Sequence, residues 1–249
     1  MKVSLILTTY NSKEYLPRTL ASIDSQDYQD IEVVIKDGGS VDGTLELIND
    51  YASKSRFEVK HTSCPDTGIY DAMNQGIALS TGDIIVCFND TFVQKDAVSK
   101  MVKLISDSGG NVVGAHADLV YANDNHVVRK WKMGPQKSLI SGWMPGHPTL
   151  FLKRQMYDKY GMYKTDYRIS ADYEFMIRFL SDKKADNKLA YLPENIISMF
   201  YGGTSTGSGG SYIKSLKEGH RALVTNGVHP AFVADILRTV RVLLQFVKK

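Results

Sequence analysis

The sequence is poor in most of the features that announce a function at once. Its two cysteines, Cys64 and Cys87, lie far apart without a C-x-x-C spacing. That speaks against a disulfide framework or a zinc site and makes a reducing cytoplasm the expected compartment. Charge of one sign is lacking too: the net charge is +3, and the basic residues are spread out until the C-terminus. A nucleic-acid binder concentrates them in a stripe, so no nucleic-acid partner is expected. No stretch approaches the roughly 18 apolar residues of a membrane span. The opening MKVSLILTTYNS is too short an apolar run for a signal peptide and reads as a first strand. GGSVDG puts Ser40 where a dinucleotide fingerprint needs its second glycine, and no GxxxxGK[ST] loop occurs. A hydrolase of the G-x-S-x-G type is excluded by the absence of that elbow.

What is present is a chain of 249 residues, 43% hydrophobic, enough for a full core. KVSLILT, IEVVIK, FEVKHTS and IIVCF are short apolar or β-rich runs that alternate with helical patterns. In the first helix Leu16, Leu20 and Ile23 share a face, and Pro17 places the start near Glu14. Such alternation predicts an α/β domain with a largely parallel, Rossmann-like half, whose ligands bind at the carboxyl ends of the strands. TTYNS, KDGGS and FNDTF all fall at such ends. From about Asn111 the pattern changes: NVVGAHADLVY and HVVRKWK read as an antiparallel pair joined by ANDN, and HPTLFLK as a further strand. A short helix is expected around RQMYDKYG, a longer one over ADYEFMIRFLSD, and extended chain over LAYLPENIISMFY. The expected organisation is a nucleotide-type half (1–110), a substrate half of the same domain (111–205), and a tail (206–249). The Gly/Ser stretch from Gly202 to Ser211 should be flexible, with two helical segments after it.

On local chemistry alone, DGGSVDGT is a tight turn with a helix cap by Ser40 or Asp42, preceded by Asp37, whose carboxylate can accept from a base N–H. Asp71 and Asn74 in GIYDAMNQG stand at a helix start, where a cap or surface role is equally open. Asp172 in ISADYEF stands at another, and capping alone would account for it.

Taken together, LILTTYNS, IEVVIKDGGSVDGT, DTGIYDAMNQGIALSTGDIIVCFND, GHPTLFLKR and YRISADYEFMIRF closely resemble family 2 glycosyltransferases of the GT-A fold, in the family's order over about residues 2 to 205. The similarity is greatest to bacterial enzymes of capsule, colanic-acid-like or O-antigen synthesis. The resemblance implies an inverting transfer of a sugar from a nucleotide diphosphate, UDP foremost, to a growing and lipid-linked glycan, with Mg²⁺ or Mn²⁺ as cofactor. It implies that Thr8 and Tyr10 lie against the nucleotide, with Tyr10 stacked on the base and Asp37 bonded to it. This chain has Gly38 where relatives often carry a second aspartate. Asp71, Asn74 and Asn89 would face the donor. Relatives end the next strand with DxD or a spaced asparagine and aspartate; here Asn89 and Asp90 are adjacent, which leaves Asp90 as the metal ligand. One carboxylate suffices in principle, because phosphates and water supply the other ligands; the alternative is a broken site in an inactive binding or scaffold protein. Asp172 matches the family's base, which takes the proton of the acceptor hydroxyl, with Glu174 the weaker candidate. His147 matches a histidine near the sugar. A sugar-nucleotide nucleotidyltransferase is a further alternative, but TTYNSKEY lacks the glycine- and arginine-rich loop of that class.

The tail AFVADILRTVRVLLQFVKK is amphipathic, with Arg238, Arg241, Gln245, Lys248 and Lys249 on one side. Two readings stand: packing onto the domain or a dimer partner, or peripheral attachment to anionic membrane with the basic residues toward the headgroups.

Overall fold

The computed structural model describes residues 1–123, 126–200 and 209–247. The first half runs β1 (Val3–Thr9), α1 (Leu16–Asp24), β2 (Ile31–Asp37), α2 (Thr44–Lys54), β3 (Glu58–Ser63), α3 (Ile69–Leu79) and β4 (Ile84–Cys87). Residues on both faces of β2 and β4 are buried, because helices cover the sheet on both sides. β1 lies between β2 and β4 and is parallel to both, with Thr9 level with Asp37 and Ile6 level with Cys87. The carboxyl ends of the three strands therefore open on one rim.

The second half follows as β5 (Thr91–Phe92), α4 (Ala97–Asp107), β6 (Val112–Ala122), β7 (Val127–Trp131), β8 (Phe151–Lys153), α5 (Gln155–Tyr160), α6 (Ala171–Leu180), β9 (Lys188–Phe200), α7 (Gly209–Thr225) and α8 (Ala231–Val247). The sheet is continuous in the order β3-β2-β1-β4-β8-β6-β9-β5, with β7 on β6. β8 runs antiparallel to both β4 and β6, so it carries the sheet from the parallel into the mixed half. Two-residue β5 is too short to leave a periodic signal, and it pairs with β9.

HPTLFLK departs from a simple strand. His147–Thr149 form a 3₁₀ turn with Pro148 in its first residues, and Thr149 Oγ1 donates within the turn to Gly146 O and across to Ala117 O. Proline removes a ladder donor and suits a helical start. The turn lifts His147 off the sheet. One apolar layer contains Leu5, Ile35, Val86, Met101 and Phe151; the other contains Ile6, Tyr157, Phe175 and Phe179.

At the amino ends of the strands sits Glu32, fully buried. It accepts from Ser4 Oγ at 2.6 Å, Lys60 Nζ at 2.9 Å, Thr81 Oγ1 at 2.8 Å and the Gly82 N–H at 3.0 Å. Burial alone would raise its pKa, but the bonds from Lys60, Ser4 and Thr81 outweigh burial and hold it well below the carboxylate range. The Gly/Ser stretch expected to be flexible lies, as far as residue 208, outside the described residues; α7 takes up the chain at Gly209. Lys248 and Lys249 also lie outside them. Among the described residues no helix is long and apolar enough to cross a membrane.

Candidate active site

The loops after β1 and β4 are clasped together. The Thr8 N–H donates to Asn89 Oδ1 at 2.8 Å, and Asn89 Nδ2 donates to Thr8 Oγ1 at 2.7 Å. Beyond the clasp Tyr10 projects from the rim, 67% exposed, with its ring free for a stacking partner.

Asp37 does not have the freedom expected of a base-binding group. Its carboxylate, 1% exposed, accepts from Thr9 Oγ1, the N–H groups of Gly39 and Ser40, Ser40 Oγ and Ser63 Oγ. Five donors fill its lone pairs, so Asp37 ties the loops after β1, β2 and β3 together. Burial pushes its pKa up, and the bonds from Ser40 and Ser63 bring it below the usual value.

The carboxylate that faces Tyr10 is Asp66, which sequence reasoning missed. A Cβ on Gly38 would stand 2.9 Å from Asp66 Oδ2 and 3.2 Å from the Tyr10 ring. The glycine in place of a second aspartate thus makes room for a carboxylate from the loop after β3. Asp66 is held by the buried Lys36 ammonium at 3.3 Å, which also donates to Asp37 O and Cys64 O, and by the Gly68 N–H at 3.0 Å. The missing aspartate at Gly38 and the acidic group in SCPDTG were the available signal.

Asp71 and Asn74 part company. Asp71 Oδ2 accepts the N–H and hydroxyl of Thr67, which closes the turn into α3; the Thr67 N–H is the main cause of its lowered pKa. Asn74 is committed in both directions to the backbone of Tyr163, as donor at 2.8 Å and acceptor at 3.0 Å. That commitment corrects the expected donor contact: Asn74 anchors the Tyr163 loop. Tyr163 in turn holds His147 through its hydroxyl, 2.9 Å from Nε2. Burial lowers the His147 pKa, so the ring is neutral at neutral pH.

Asp90 contrasts with every carboxylate above. It lines a cleft of about 340 Å³ with Asn89, Arg18, Asn123, Ser198 and Phe200. Part of its surface reaches solvent, yet enough protein surrounds the carboxyl to raise its pKa to about 7. No hydrogen bond or ion pair joins it to another described residue. The described residues contain no cluster of three or more metal-ligating side chains. A recessed, unpaired carboxylate beside a carboxamide fits a hard divalent cation whose remaining ligands arrive with a diphosphate.

Across the ends of β6 and β9 lies a second cleft, of about 260 Å³. Tyr121 and Met199 line it, together with His147 and Asp172, while the neighbouring Ala122, Ser198 and Phe200 line the Asp90 cleft. Asp172 occupies the first turn of α6, and its Oδ1 accepts the Tyr70 hydroxyl at 2.9 Å. Tyr70 belongs to the first turn of α3, so this bond ties the start of one helix to the start of the other. Glu174 is fully buried and tied to Lys164 and Arg178, which removes it as an acceptor of substrate protons. The turn before Asp172 is held by Glu218 of α7, which accepts the N–H groups of Arg168, Ile169 and Ser170 at 2.9–3.0 Å. No motif marked Glu218; only the packing of α7 on α6 reveals it. A roomier cavity of about 560 Å³, near Lys137 and His229, contains none of these groups.

The tail overturns the expected orientation. Arg238 and Arg241 line the Asp172 cleft, while Phe232, Ile236, Val240, Leu243 and Leu244 are exposed. α8 is turned with Arg238 and Arg241 inward.

A curled mixed sheet whose rim carries such a clasp, a bare carboxylate and a helix-start aspartate defines a glycosyltransferase of the GT-A architecture. The model of glycosyl transferase family 2 matches residues 4–180, and the chain belongs to that family. A PGL/p-HBAD biosynthesis glycosyltransferase of Mycobacterium bovis is 31% identical over 186 residues, 72% of this chain and 70% of that one. Among solved structures, Staphylococcus aureus TarS 1–349 in complex with UDP superposes with a TM-score of 0.70 at 17% identity, covering 99% of this chain and 72% of that one. The mannosyltransferase PcManGT of Pyrobaculum calidifontis, in complex with GDP-Man and Mn²⁺, gives 0.71 at 16% identity, over 100% and 76%.

Proposed function

We propose that this glycosyltransferase moves one sugar from a UDP-sugar to a surface-glycan acceptor carried on a lipid, with inversion at the anomeric carbon and with Mg²⁺ or Mn²⁺ bound at Asp90. The observation that carries the reading is the pairing of an unbonded carboxylate at Asp90 with a positioned one at Asp172 on either side of the ends of β6 and β9. Tyr10 stacks on the base, Asp66 accepts from its N–H, and the Thr8–Asn89 clasp borders the diphosphate. A cation there would neutralise charge on the departing nucleoside diphosphate. Asp172 takes the proton of the acceptor hydroxyl as that oxygen bonds to the anomeric carbon, and the bond from that carbon to the diphosphate breaks. The Tyr70 hydroxyl keeps Asp172 oriented. The neutral His147 ring borders the acceptor. The sequence resemblance to capsule, colanic-acid and O-antigen enzymes supports a polysaccharide acceptor; the mycobacterial relative, named for PGL/p-HBAD biosynthesis, widens the class to other surface glycans.

Titration of UDP with and without Mn²⁺, in wild type and in Asp90→Asn, tests the donor side. Metal should strengthen binding in wild type and have little effect in the variant; equal affinity in all four mixtures sinks the assignment. The residues α8 turns outward support peripheral membrane contact through Phe232, Ile236 and Leu243. Failure to float with anionic liposomes at low salt would remove that part and leave a homodimer contact as the alternative.

A further inference from the structure

We propose that Arg238 and Arg241 form an anion subsite beside Asp172 that holds a phosphoryl group of the acceptor. The inference rests on the reading of this cleft as the acceptor side, and it names the chemistry of what binds there. Both side chains come from the inward face of α8 and line the same cleft as Asp172 and His147.

Their positions are built into the fold. The Arg238 guanidinium lies over the Tyr173 ring at 4.5 Å. A Cβ on Gly219 of α7 would stand 2.3 Å from its Nη1, and one on Gly142 would stand 2.2 Å from the Arg238 backbone nitrogen. Two glycines thus let α7 and the 3₁₀ turn Leu139–Ser141 close on this one arginine. Its donors remain largely unspent. The nearest carboxylate, Asp235, is 3.8 Å away by Oδ1, while Asp235 Oδ2 is bonded to His220 at 2.7 Å. Among the described residues Arg241 makes a single long bond, 3.4 Å, to Met133 O. Neither guanidinium is within ion-pairing distance of Asp172. Two cations therefore face a cleft whose one acidic side chain must stay available as a base.

A phosphate ester fits this arrangement better than a neutral sugar or a carboxylate. It presents several oxygens and up to two charges to a pair of planar, many-donor groups. Trp131 and Tyr121, stacked on each other, supply an apolar wall on which a sugar ring can rest.

The test measures binding directly, by titration calorimetry on the full chain saturated with UDP and Mn²⁺. Geranyl phosphate, glucose 1-phosphate and octyl glucoside serve as probes. Wild type should bind both phosphates well above the neutral glucoside. Each arginine should contribute on the order of tenfold, so Arg241→Gln weakens phosphate binding about tenfold and the double variant with Arg238→Gln more. Geranyl phosphate binding tighter than glucose 1-phosphate assigns the phosphoryl group to a lipid carrier; equal affinity assigns it to a soluble ester. Arg241→Gln guards against misfolding, because among the described residues that side chain has only one long hydrogen bond to lose, and a normal melting curve certifies it. The proposal is overturned if phosphates bind no better than the glucoside, if Arg241→Gln binds them unchanged, or if the variant loses UDP affinity instead. Asp172→Asn should keep phosphate binding. If it also keeps normal turnover, the assignment of the base fails while the subsite stands.

Discussion

The two ends of the central sheet treat a carboxylate in opposite ways. At the amino ends Glu32 is surrounded by donors from β1, β3 and the loop before β4, and it is ionised well below the usual range. At the carboxyl ends Asp90 has no partner among the described residues, and its pKa rises to about 7. Both are shielded from water, so burial alone does not set the outcome. The difference lies in whether the chain itself supplies the charge compensation. Glu32 is compensated by lysines and serves stability; Asp90 is left for something that arrives from outside. Asp37 shows that position on the rim is not sufficient, because its five donors make it part of the scaffold.

The contrast can be broken at either end. The largest effect is expected at the catalytic edge: Asp172→Asn should reduce transfer about 10²–10⁴-fold with UDP affinity nearly unchanged, measured by steady-state kinetics and titration. Near-normal turnover would return the base to another residue. At the amino ends, Glu32→Ala should cost about 3 kcal/mol in denaturant unfolding, since it removes the buried acceptor shared by Ser4, Thr81 and Gly82 and breaks the ion pair with Lys60. A cost near zero would mean that the Glu32 cluster is not structural.

Asp90→Asn sharpens the comparison through pH. A carboxyl raised in the folded state costs stability when it ionises, so the penalty is absent near pH 4 and complete above pH 7. Metal-free Asp90→Asn should therefore melt higher than wild type at pH 8 and alike at pH 4. Mn²⁺ affinity of wild type should rise as pH passes from 6 to 8, and thermal shift follows both. A flat profile would show the carboxyl to be already ionised.

Glu218→Gln keeps one acceptor oxygen but turns an amide N–H against at least one of the three backbone donors, with an expected cost of about 1–3 kcal/mol. A kcat falling about tenfold without change in UDP affinity would mark Glu218 as the group that positions Asp172. Loss of stability alone would confine it to packing. The smallest effect is expected at Asp66→Asn, a several-fold weaker hold on UDP with other nucleotides less affected, read by competition titration. Equal loss for all nucleotides would detach Asp66 from the base.

The position of several candidates was legible before the fold: Thr8, Asn89, Asp90 and Asp172 stood at strand ends or a helix start, and in the structure Asn89 and Asp90 line one cleft, Asp172 lines the other, and Thr8 is bonded to Asn89. Asp66 left only the indirect signal of the glycine at 38 and Glu218 left none, because each acts through a neighbour remote in sequence: Gly38 for one, the turn before α6 for the other. Asn74 misled because a helix-start amide looks the same whether it meets a ligand or the Tyr163 backbone.

By itself, then, the sequence determined the alternation of elements, the rim on which polar loops gather, and the amphipathic division of α8. Periodicity and turn chemistry are local properties, so local residues suffice to specify them. Tertiary structure alone decided which carboxylates are satisfied and which way α8 faces. Hydrogen-bond saturation depends on donors 26 to 50 residues away, such as Ser63 for Asp37 and Gly82 for Glu32. Likewise, an amphipathic helix has two faces in sequence, and only its packing, with the glycines at 142 and 219 making room for Arg238, shows which one turns inward.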